Sequence, residues 1–120
     1  TGVDEQAGLL LMNNEGQMAS VMLSLHSKQP KRGMISCEKG YIEILEYPRA
    51  WEATITDAET GKTEVIKAGE NADALAYELA DMERAINGDT ACMHLEYTKD
   101  VMELMTAFRK EWGLKYPEEE

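Results

Sequence analysis

The chain has 120 residues with 12 basic and 23 acidic side chains, a formal net charge of −11 and 43% hydrophobic residues. That length suits one domain with a single two-layer core, and the hydrophobic fraction excludes a largely disordered chain. The acidic balance excludes nucleic acid and anionic membranes as partners, since no basic stripe offsets phosphate repulsion.

Residues 1–70 show the two-residue periodicity of strands. Gln6 to Met12 reads as a strand and Asn13-Asn14-Glu15-Gly16 as a turn. Gln17 to Ser27 resumes with clean alternation: Ala19, Val21, Leu23 and Leu25 point one way, and Ser20, Met22, Ser24 and His26 the other. Lys28 to Arg32 is a polar loop. A short strand, Met34 to Glu38, turns through Lys39-Gly40 into Tyr41 to Tyr47, which Pro48 ends because it cannot donate to a ladder. Glu52 to Asp57 and Thr63 to Lys67 form a second hairpin around Glu59-Thr60-Gly61-Lys62.

Two amphipathic helices follow. Asn71 is the expected cap of the first, with Asp73 in its first turn. Ala72, Leu75, Ala76, Leu79, Met82 and Ile86 make its apolar stripe, and Asn87-Gly88 its stop. The second spans roughly Leu95 to Trp112, with a stripe of Tyr97, Val101, Leu104, Met105, Phe108 and Trp112. Gly113 ends it, and residues 118–120 read as a frayed tail. Strands followed by helices imply an α+β fold: a mostly antiparallel, open-faced sheet of about six strands, with the two C-terminal helices packed on one face. The uncovered face, too apolar for plain solvent surface, is expected to pair with a second copy. Ser20, Met22 and Ser24, together with Glu43, are the candidates for that homodimer interface.

Little in the sequence nominates a catalytic centre. The nine glycines never form Gly-x-Gly, so neither a dinucleotide fingerprint nor a phosphate loop is present. His26 and His94 have no metal-ligand spacing around them. His26 reads as a hydrogen-bonded surface or interface histidine, or as a group lining a substrate pocket at the sheet edge. Trp51 reads as a packing anchor at a strand bend or as a sugar-stacking platform. Arg84 and Arg109 suit helix-surface ion pairs. Cys37 and Cys92 lack a disulfide pattern and read as reduced thiols of a cytoplasmic protein. No apolar run approaches the ~18–20 residues of a membrane helix, and the opening residues do not read as a signal peptide.

Several short motifs occur in a meaningful order. Ala76-Tyr77-Glu78-Leu79 leads through Arg84-Ala85-Ile86 to Gly88-Asp89, and the chain closes on Gly113-Leu114-Lys115-Tyr116-Pro117. Gly2 to Gln6 before the first strand, Gly33 to Gly40 before Tyr41-Ile42-Glu43-Ile44, and Tyr47-Pro48-Arg49-Ala50-Trp51 complete the set. Together they resemble the C-terminal half of the Gfo/Idh/MocA oxidoreductases, most closely the branch of dihydrodiol and xylose dehydrogenases. Arg49-Ala50 departs from the family's Pro-Phe-Trp bend.

The resemblance implies that residues 1–120 are one sheet domain of a larger NAD(P)-dependent enzyme acting on a sugar, polyol or related compound. It implies that the NAD or NADP site and the lysine of a Glu-Lys-Pro motif belong to a Rossmann domain absent here; Lys39 lies in a strand turn and does not match that lysine. No catalytic, cofactor-binding or metal residue is therefore expected in this chain, which is expected to be inactive alone. Its open sheet would pair with a second copy, and its edge, with His26 and Trp51, would wall the substrate pocket. A free-standing dimeric sheet module that binds a small ligand or protein is the alternative.

Overall fold

The computed structural model describes residues 3–116. Gly2, Pro117 and the expected tail at 118–120 lie outside the described residues. Six strands precede two helices: β1 Gln6–Met12, β2 Met18–Ser24, β3 Arg32–Cys37, β4 Gly40–Leu45, β5 Glu52–Asp57, β6 Thr63–Lys67, α1 Ala74–Ile86 and α2 Leu95–Glu111. All strand pairings are antiparallel, which makes the fold α+β with open sheets. The strands divide into a two-stranded ladder, β1-β2, and a four-stranded ladder, β3-β4-β5-β6. Two compact units result: one holds the described residues of Thr1–Lys28 and His94–Glu120, the other Gln29–Met93.

In the first unit, Asn13 builds the hairpin turn. Its side-chain oxygen accepts from the Glu15 and Gln17 amides at 3.0 and 2.9 Å, and its carbonyl accepts from Gly16 at 3.1 Å. The register pairs Ala7, Leu9 and Leu11 with Leu23, Val21 and Ala19 on one face. Gln6, Gly8, Leu10 and Met12 pair with Ser24, Met22, Ser20 and Met18 on the other, as the alternation predicts. The second strand stops at Ser24, short of the expected Ser27. There the Ser24 hydroxyl accepts from the His26 and Ser27 amides at 3.1 and 3.0 Å, which diverts both donors from a ladder.

In the second unit, Ile35, Ile42, Ile44, Ala53, Ile55 and Ile66 share one face, and Met34, Tyr41, Glu43, Thr54 and Val65 the other. Gly40 opens β4 where an added Cβ would lie 2.1 Å from the Thr56 carbonyl oxygen. The β5-β6 turn is held by Asp57, whose carboxylate accepts from the Thr60 hydroxyl and amide, each at 2.7 Å. These bonds hold the Asp57 pKa below the ordinary carboxylate value. Tyr47, expected to end a strand, instead begins a one-turn 3-10 helix over Tyr47–Arg49, entered through Glu46 at φ 51°. Pro48 suits that helical start and removes a ladder donor.

The helix ends follow the glycines. Gly88 (φ 105°) and Gly113 (φ 66°) take left-handed positions, and the following amides, Asp89 and Leu114, reach back to the Arg84 and Arg109 carbonyls at 3.0 Å. The first helix begins differently from expectation. Asn71–Asp73 forms a 3-10 turn, and Asp73 precedes α1 with no side-chain cap. Among the described residues none is fully buried, and both helical stripes stay largely exposed, with Leu79 at 70% and Ile86 at 78%.

Two outcomes test these local constraints. Gly40→Ala should cost about 1–3 kcal/mol in urea unfolding, because the β4-β5 backbones must separate to admit the methyl. Thr60→Val should raise the Asp57 pKa toward the ordinary carboxylate value in an NMR titration. Because the folded pKa is depressed, the Asp57 contribution to stability is present above the unfolded-state value and fades as pH falls through the folded one.

Candidate functional site

An open cleft of about 380 Å³ lies in the second unit, lined by Arg49, Ala50, Trp51, Ala68, Gly69, Glu70, Asn71, Ala74 and Tyr77. Its residues come from two segments brought together by one hydrogen bond beyond the β5-β6 register: the Ala68 amide donates to the Trp51 carbonyl at 2.8 Å. Gly69 then turns the chain at φ 70°, where its bare Cα lets the Tyr77 ring approach. An added Cβ would lie 3.2 Å from Tyr77 Cε2. The Glu70 amide donates to the Tyr77 hydroxyl at 2.9 Å, fixing that ring against the turn. Trp51 supplies a second aromatic surface, 40% exposed.

The charged groups at the cleft are Arg49 and Glu70. Neither has an ion-pair partner among the described residues. The cleft therefore offers an apolar floor, two aromatic rings, one free guanidinium and one free carboxylate. Such a set can hold a small ring compound and read its charge, but it contains no paired nucleophile and base. No group of three metal-ligating side chains converges among the described residues.

The other sequence candidates lie elsewhere. His26 follows β2, and its Nε2 contacts the Glu5 carboxylate in an exposed pair at the open end of the hairpin. Ser20, Met22 and Ser24 share the second hairpin face with Leu10, Met12 and Met18. Of these, Leu10, Met12, Met18 and Met22 are between 65% and 73% exposed. Glu43 belongs to the four-stranded sheet instead, where it stands 3.7 Å from Arg32 Nη1. Arg84 forms the expected helix-surface ion pairs, to Asp89 at 2.6 Å and Asp81 at 3.1 Å, and the Asp89 hydrogen bond above all raises its pKa. Arg109 lies over the Tyr116 ring at 4.6 Å. Both cysteines are free thiols.

The chain matches no known family model, and neither a curated protein nor a solved structure is found to be similar to it. Of the cleft residues, sequence reasoning singled out Trp51 as pocket-lining. Gly69, Glu70 and Tyr77 escaped notice in that role, although a glycine between strand and helix with an aromatic eight positions later is a readable signal for a turn packed under a ring.

Gly69→Ala should destabilise the chain by about 1–2 kcal/mol through its left-handed backbone alone, with a further loss from the Tyr77 contact. Tyr77→Phe should cost about 0.5 kcal/mol, the low end for an exposed hydrogen bond. Paired thermal and urea denaturation of the two variants separates backbone strain from the lost bond.

Proposed function

We propose that this chain is the substrate-side and dimerisation domain of an NAD(P)-dependent oxidoreductase acting on a sugar, polyol or related compound. The parent enzyme transfers a hydride between the nicotinamide and a carbonyl or hydroxyl carbon, the cofactor supplying the chemistry and the protein the orientation. The oxidoreductase class rests on the ordered motifs. Several of their residues have structural work in the fold: Tyr77 walls the cleft, Gly88 and Gly113 end the helices, and Tyr116 stacks under Arg109. In this reading Trp51 faces substrate, while His26 contributes a polar group at the hairpin end. The protein is cytoplasmic, which its two free thiols support. Among the described residues no helix is long and apolar enough to cross a membrane.

The observation that carries the dimerisation role is the composition of the hairpin. None of the fourteen residues of β1 and β2 is charged, in a chain that is 29% charged. Four large apolar side chains nevertheless stand exposed on one of its faces. A surface of that kind is suited to self-association, where an isologous patch meets its own copy.

Sedimentation should show a dimer, and Met18→Glu combined with Met22→Glu should shift it to monomer, because burying unpaired carboxylates is costly. A monomer for the unsubstituted chain at high concentration sinks the interface. Titration with NADPH should give no saturable signal; micromolar binding would overturn the assignment of the nucleotide site to another domain.

A further inference from the structure

We infer that the cleft at Trp51 and Tyr77 binds a small ring compound carrying one carboxylate, with Arg49 as its charge-reading residue. For its catalytic meaning this rests on the substrate-side reading above, but the binding itself belongs to this chain and needs no cofactor.

Three observations converge. First, the cleft is built rather than incidental. The Ala68-to-Trp51 hydrogen bond, the left-handed Gly69 and the Glu70 amide bond to the Tyr77 hydroxyl hold its wall together. Its volume of about 380 Å³ falls at the small end of the roughly 300–1,000 Å³ typical of small-molecule sites. Second, its apolar surface is aromatic. Trp51 and Tyr77 offer flat faces to a ring, either the C–H face of a pyranose or an aryl ring. Third, Arg49 lines the cleft with no ion-pair partner among the described residues, although 23 acidic residues are available in the chain. A planar guanidinium left unpaired beside aromatic rings matches a carboxylate in bidentate geometry.

The surrounding charge sharpens the assignment. A chain of net charge −11 repels anions in general, so attraction to a carboxylate has to be local. Glu70, on the same lining, opposes it further. Selectivity for the anion therefore depends on Arg49 alone. Glu70 and Asn71 remain available to hydrogen-bond ring hydroxyls.

The test is an NMR titration of the unsubstituted chain, following the Trp51 indole N–H with Trp112 as the internal reference. The probes are D-glucuronate, D-glucose, benzoate and benzyl alcohol. At least one carboxylate should saturate the Trp51 shift with a dissociation constant on the order of 1 mM, as expected for so small a ligand in an open site. Its neutral counterpart should bind at least ~10-fold more weakly, a difference of about 1.4 kcal/mol. Arg49→Gln should erase that difference, and Glu70→Gln should tighten carboxylate binding by removing the like charge. Both positions are exposed, so neither variant threatens folding, and unchanged amide spectra verify this. Equal binding of charged and neutral probes, or no saturable shift with either carboxylate, overturns the proposal. Tighter glucuronate than benzoate supports a sugar substrate; the reverse keeps the carboxylate site and overturns the sugar part of the substrate assignment. Because no nucleotide is present, none of these outcomes depends on whether the parent is an oxidoreductase.

Discussion

Backbone hydrogen bonding holds each ladder together with very little help from buried side chains. The β1-β2 ladder runs through seven residue pairs, the four-stranded ladder through three further pairings, and both helices close on glycine caps. Each such bond contributes only about 1 kcal/mol net, and a two-stranded hairpin alone is marginal in water. Covering Leu10, Met12, Met18 and Met22, all exposed here, would contribute roughly 1.5–3 kcal/mol for each side chain. Side-chain cover of that face is thus of the same order as the whole seven-pair ladder.

Charge determines where such cover is least costly. Two copies of a chain with net charge −11 repel each other, although salt limits the repulsion to roughly 8 Å at physiological ionic strength. Contact through any surface rich in carboxylates would add desolvation to that repulsion. The hairpin avoids the desolvation penalty, since neither strand carries a charge on either face. The four-stranded sheet is different: Arg32, Glu43, Glu52, Asp57, Glu64 and Lys67 punctuate its strands. Glu43, with its Arg32 contact and its place in the other ladder, is less suited to an apolar interface than Met22.

The order of elements was legible in the sequence because it depends on local chemistry. Alternation fixed which hairpin residues share a face, and Gly88 and Gly113 fixed where the helices stop. The failures share a cause. Ser24 captures two amides and shortens β2, Tyr47 enters a 3-10 turn with Pro48, and Asn71 joins a 3-10 turn instead of capping α1. In each case a short polar side chain or a proline offered the backbone an alternative of similar energy, which periodicity cannot rank. The division into two ladders was likewise invisible, since strand pairing is a long-range choice. The helical stripes were read correctly as apolar, but a stripe does not name what covers it. The cleft required knowing that Ala68 lies beside Trp51, a contact across seventeen positions that only the β5-β6 register provides.

That register also confines the cleft to a single unit of the molecule. The cleft depends on the rung beyond Glu52 and Lys67, on Gly69 and on Tyr77, all within Gln29–Met93. The uncharged apolar face depends on the turn at Asn13 and the alternation of β1 and β2, all within Thr1–Lys28. No residue serves both sets of interactions. The proposed interface and the proposed ligand site therefore share no residue, so variants can test each one while leaving the residues of the other unchanged.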